Sequence, residues 1–234
     1  FKLSDTGTWT KLDATTNYGI TGYTTNEITI PASTVLNFET FKCEIKDIML
    51  DGVKFEAKNE KQALSQGIVY VSEDRKKEGL VLGMSVAKNV TISSLGRFSK
   101  GQLINKKQEK ESVLHYKDAM RIKTPSLDQS VKLLSGGNQQ KVSIAKSLST
   151  QPKIVIMDEP TRGVDVGAKK EIYELMNEFK RNGLGILMIS SEIPELLGVC
   201  DRIMVMSEGK IAGVLSRDKA NSNEIMRLAI GAGV

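Results

Sequence analysis

Three short apolar segments, IVYV at 68–71, KIVIM at 153–157 and GILMIS at 185–190, are separated by stretches with the periodicity of helices. This alternation constrains the fold more than any other feature. A strand apolar on both sides has no face to offer water, so both of its faces must be covered. Helical connections supply that cover and return the chain parallel to its previous strand. The reading is therefore α/β, with a largely parallel sheet covered on both faces. A short helix, EKQALSQG, precedes IVYV. Residues 85–123 read as mostly helical and charged, ending in a turn at KTPS. A helix from near Gly137 places Val142, Ala145 and Leu148 on one side. Another, from about Gly167 to Arg181, aligns Ile172, Leu175, Met176 and Phe179. SEIPELLG reads as a short helix and RIMVMSEGKIAGVL as a hairpin turning at Ser207-Glu208-Gly209. A last helix is expected to be capped by Ser222.

The character of the chain changes near residue 46. Eleven of its fifteen threonines fall in the first forty residues, among β-prone pieces such as WTKL, YGITGY and EITI. The expected organisation is a Thr-rich segment, 1–46, of unassigned role, followed by one α/β domain, 47–234, with a helical insertion at about 85–149. A carbohydrate-binding or adhesin-like role is an open reading for the first segment. The net charge of +5 is mild. The clusters Arg75-Lys76-Lys77 and Lys106-Lys107 read as solvated faces, and no aromatic-rich basic patch points to nucleic acid as a partner. Cys43 and Cys200 match no metal or redox spacing, which suits a reduced, cytosolic protein. His115 lies in a charged helical run and reads as a surface residue. No apolar run reaches the roughly 18 residues of a membrane span, and no signal-peptide pattern opens the chain.

KIVIM runs directly into Asp158 and Glu159. Read plainly, Asp-Glu-Pro is solvated punctuation after a strand. Read chemically, Asp158 suits a hard, hydrated dication such as magnesium. Glu159 is then placed to polarise a water for phosphoryl transfer. Upstream lies LLSGGNQQK, residues 133–141, where a serine and two glycines open a helix and leave backbone amides bare for an oxyanion. An ordinary helix cap is the alternative. The two strings together favour the chemical reading of both.

Those strings, with GIVYVSEDRKKEGL and DEPTRGVDVG, resemble an ATP-binding-cassette ATPase with a P-loop NTPase-like core. The nearest resemblance is to the second half of the duplicated ATPase of bacterial monosaccharide importers of the ribose type, over about residues 48–234. The resemblance implies ATP and Mg2+ as ligands. By that resemblance Ser135, Gly136 and Gly137, with Gln139 beside them, form the signature gripping the γ-phosphate of ATP held by an opposing ATPase half. It makes Asp158 the magnesium-associated acid and Glu159 the catalytic carboxylate, and puts Asp165 in the loop that communicates across the dimer. It also implies membrane-spanning permease subunits, an indirect sugar-binding protein partner outside, and a place on the cytoplasmic face of the membrane.

Three departures from that family stand out. Glu73 replaces a glutamine that touches magnesium, and Ser191 replaces a histidine that contacts the γ-phosphate. The third is larger. A phosphate loop needs G-x-x-x-x-G-K-[ST], glycine amides to wrap the phosphates and a cation to neutralise them, and no such string exists in the chain. By the family's spacing it should fall at residues 24–31, which read TTNEITIP. Two functions stay open: an ATPase subunit energising sugar import, and a truncated or rearranged module that interacts without catalysing.

Overall fold

The computed structural model describes residues 54–101 and 103–231, and the backbone of six strands before them: β1 (Lys2–Leu3), β2 (Trp9–Thr10), β3 (Glu27–Ile30), β4 (Val35–Asn37), β5 (Asp47–Leu50) and β6 (Val53–Lys54). There follow α1 (Glu60–Ser65), β7 (Ile68–Val71), α2 (Val86–Thr91), β8 (Ser99–Lys100), β9 (Leu103–Ile104), α3 (Lys106–Ala119), α4 (Gly136–Leu148), β10 (Ile154–Asp158), α5 (Val166–Arg181), β11 (Gly185–Ile189), α6 (Ile193–Val199), β12 (Arg202–Ser207), β13 (Lys210–Ser216) and α7 (Ser222–Ala229).

The core is a parallel sheet in the order β4-β11-β10-β7. All three apolar segments are strands in it, and KIVIM lies in its interior. Its register sets Met157 opposite Val71, Asp158 opposite Ile189, and Met188 opposite Asn37. The four carboxyl ends therefore line up along one edge, where open parallel sheets collect ligands. Val35–Asn37 lies before the seam expected at residue 46, yet it is a member of this sheet.

Alternation along each strand sends successive side chains to opposite faces. Val155, Met157, Ile186 and Met188 join the larger core, beneath α4 and α5, with Ile172, Leu175 and Met176 spaced along one stripe of α5. Ile154 and Leu187 face the other way, against Met204, Met206, Ile211 and Phe55. That second face is covered by the β12–β13 hairpin rather than by helices alone. The expected cover is there, but an antiparallel pair supplies part of it.

Three further expectations change in detail. The stretch 85–123 is interrupted by the β8–β9 hairpin around Gly101, whose φ is +60°. Two-residue strands are too short to show alternation in sequence. Helix α7 is capped by Asn221, whose side chain accepts from the Glu224 amide at 2.9 Å; Ser222 lies inside the helix. Within 24–31, Glu27–Ile30 is β3, paired in parallel with β5 in a separate sheet. Residues 24–26 and 31 lie outside the described residues, as do Cys43 and most of the Thr-rich segment.

Candidate functional site

β10 ends on Asp158, which is 9% exposed. One strand over, the Tyr70 hydroxyl donates to Asp158 Oδ2 at 2.7 Å. Oδ1 is buried and has no hydrogen-bond partner among the described residues. Burial pushes the Asp158 carboxyl above the usual carboxylate range, and Glu159 and Glu78 add to the rise; the Tyr70 hydrogen bond opposes it. Burial and the Asp158 charge raise Tyr70 in turn. Glu159 follows in a left-handed conformation, φ +41°, which is strained for a side chain other than glycine's. Two bonds hold it there. Its amide donates to Ile189 O at 2.9 Å, and its Oε1 accepts from the Ser191 amide at 2.7 Å. Asp158, Glu159 and Ser191 therefore stand together at one sheet edge, with the Ser191 backbone rather than its hydroxyl doing the holding.

Behind that edge lies a carboxylate that sequence reasoning passed over. Glu195 of α6 is 5% exposed and accepts from Tyr173 at 2.6 Å, Ser190 at 2.8 Å, Lys169 at 3.1 Å and the Thr161 hydroxyl. Burial by itself would raise its pKa; the four donors outweigh burial and hold it below the ordinary value. The network ties the loop after Glu159 to the residue before Ser191. A glutamate in a short amphipathic helix gives no hint of this in one dimension, because its four donors come from three separate segments.

A second group gathers where α4 meets α5. Ser135 caps α4, its hydroxyl bonded to Asn138 Nδ2 at 2.9 Å, and it is exposed. Gly136 and Gly137 are required by close approach. A Cβ on Gly137 would lie 2.5 Å from the Ala168 Cβ, and one on Gly136 would lie 3.0 Å from Arg75 Nη2 and 3.1 Å from Gly163 O. Asp165 caps α5, Oδ1 accepting from the Ala168 amide at 3.0 Å. Gln139 turns inward, donating from Nε2 to Val131 O and Leu134 O, both at 3.2 Å, so its amide braces the turn from within. Glu73 pairs with Arg162.

Arg75 corrects the reading of its cluster as a solvated face. Lys76 and Lys77 are exposed, but Arg75 is buried and donates to Arg162 O at 2.8 Å and Gly163 O at 3.1 Å. The π-helical turn Arg75–Gly79 rolls this one side chain inward. His115 is exposed, as expected, edge-on to the Tyr116 ring at 5.0 Å, and Cys200 is buried, which raises its thiol to about 12.

The residues present suit the ligands implied above unequally. The orphaned Asp158 Oδ1 is the kind of oxygen a hard dication takes up. No cage of three metal-ligating side chains forms among the described residues. The nucleotide phosphates fare differently, since no glycine-rich loop with a lysine exists in the sequence.

Residues 33–162 match the family model for the ABC transporter. The chain belongs to that family. The cassette is 50% identical over 214 residues to the ribose import ATP-binding protein RbsA of Clostridium perfringens strain 13, and equally to that of strain SM101. Each alignment covers 91% of the cassette and 42% of the relative, so the chain spans less than half the length of these relatives. Among solved structures, a nucleotide-free ATP-binding cassette from an ABC transporter superposes with a TM-score of 0.69 at 19% identity, over 86% of this chain and 89% of that one. CbiO1 from Clostridium perfringens, part of an ABC transporter complex, gives 0.62 at 21% identity, over 79% and 72%. These likenesses show that the α/β architecture is that of an ABC cassette.

Proposed function

We propose that this cassette is one ATPase half of an importer of monosaccharides, ribose first among them, and that it acts by lending its signature turn to ATP held on a partner half. The observation that carries the reading is the exposed start of the 13-residue α4. Ser135 is exposed there at the positive end of the helix, with Gly136 and the buried Gly137 packing it closely onto Arg75, Gly163 and Ala168. The 50% identity to ribose import ATP-binding proteins supports the substrate class. The segment Glu73–Gly83, which leads into the helical region, is the surface proposed to meet a membrane-spanning permease, with a sugar-binding protein beyond it. No helix among the described residues is long and apolar enough to cross a membrane; the place proposed, peripheral on the cytoplasmic face, rests on the likeness to import ATP-binding proteins.

Asp158 is the residue that would hold Mg2+, which when bound neutralises phosphate charge. Glu159, fixed by the Ser191 amide, is the carboxylate aimed at a water. Without a phosphate loop we derive no hydrolysis at this chain's own site. The second reading, a module that interacts without catalysing, draws on that same missing loop. Mixing the cassette with a partner half that has an intact phosphate loop separates the two. Stimulated ATP hydrolysis, abolished by Ser135→Trp, is the expected result; no stimulation leaves the interaction module.

A further inference from the structure

We infer that Arg75 is the positioning residue of the signature turn, fixing Gly136 and the 162–165 loop as one unit and lending that unit its charge. The inference rests on the proposed role of Ser135–Gly137. Arg75 is 9% exposed, and its two terminal nitrogens are spent on successive carbonyls, Arg162 O and Gly163 O. A planar fork reaching two adjacent carbonyls sets the direction of that loop, which a single-point donor cannot do. The same Nη2 lies 3.0 Å from where a Gly136 Cβ would stand, so the first turn of α4 rests directly on the guanidinium.

The turn that carries Arg75 is docked on α4 at two more points. A Cβ on Gly79 would lie 2.8 Å from Ser143 Oγ, and Lys146 Nζ donates to Gly79 O. Glu73, just before, is paired with Arg162. The segment after β7, the start of α4 and the loop into α5 therefore form one unit, and Arg75 touches all three.

Its charge is also only partly compensated. No carboxylate among the described residues forms an ion pair with it; neighbouring Asp74 interacts only through space, and burial lowers its proton affinity. A guanidinium stays protonated regardless. A positive charge is thus left beneath the positive end of α4, where both attract an oxyanion. A buried cation with no carboxylate paired to it is costly, and an anion at the exposed Ser135 end of the turn would offset that cost.

The test uses the full chain with a partner ATPase half that has an intact phosphate loop, comparing wild type, Arg75→Lys and Arg75→Gln. Both variants are expected to lower the maximal stimulated rate at least about tenfold, because neither replaces the fork. Only the glutamine variant, which loses the charge, is expected to raise the apparent KM for ATP. Melting curves run alongside establish that each variant is folded at the assay temperature. A folded Arg75→Gln variant with rate and KM within about twofold of wild type overturns the inference. So does a loss that disappears at lower temperature in step with the melting curve. Wild-type cassette that gives no stimulation sinks the signature-lending role instead, and the Ser135→Trp control tells the two failures apart.

Discussion

The phenol of Tyr70 and the carboxylate of Asp158 meet across two parallel strands at 2.7 Å, and this bond satisfies one carboxylate oxygen while the other stays buried and orphaned. An arrangement of this kind costs stability. Asp158→Asn is expected to raise the denaturation free energy by about 1 kcal/mol, because the neutral amide keeps an acceptor for Tyr70 and removes an unpaired charge. The sign follows from linkage. A carboxyl whose folded pKa is raised binds more protons folded than unfolded above its ordinary value of 3.8, so wild-type stability falls as pH rises through that window. The variant lacks that slope. Chemical denaturation at a series of pH values measures both, and a less stable Asn variant at neutral pH would contradict the account.

Glu195 has the opposite sign. Its folded pKa is depressed, so its contribution is present above the ordinary value of 4.5 and is lost as pH falls through and below it. Glu195→Ala removes the shared acceptor of Thr161, Tyr173, Ser190 and Lys169, of which Lys169 keeps Glu192 at 2.6 Å. The expected cost is about 3 kcal/mol, with a flatter acid limb in the denaturation profile than wild type. A change under about 0.5 kcal/mol, the size of an ordinary surface substitution, would mean the network contributes nothing net.

Gly137→Ala tests the contact that sets α4 on α5. The new methyl would stand 2.5 Å from the Ala168 methyl, and neither side is a flexible chain end. A loss of about 1–3 kcal/mol is expected from the forced separation. The double variant Gly137→Ala, Ala168→Gly should recover most of it. Failure of that rescue would locate the strain elsewhere.

The cassette by itself is expected to bind magnesium-ATP with a dissociation constant weaker than about 1 mM, since no glycine-wrapped lysine is available to the phosphates. Isothermal titration checks this directly. In the mixed system, Glu159→Gln should leave the stimulated rate within about twofold, because that carboxylate belongs to the cradle-less site. Micromolar binding by the isolated chain would show that the first 46 residues build a phosphate site.

The sequence by itself determined the sheet and its ligand edge. Four or five consecutive apolar residues can be buried only with both faces covered, and helical spacing between them leaves parallel pairing as the outcome, so IVYV, KIVIM and GILMIS could be read as β7, β10 and β11. Capping was legible only in part: Ser135 caps α4, which was the alternative reading of LLSGGNQQK, while α7 is capped by Asn221 rather than Ser222. Only the tertiary structure decided what lies behind that edge. Arg75 sits in a run of cations, and no local pattern marks it off from Lys76 and Lys77 as the side chain that a single turn directs inward. Glu195 collects donors from three segments, and Tyr70 meets Asp158 across 88 residues of chain. Such side chains are recognised by their partners, and those partners are far away in sequence.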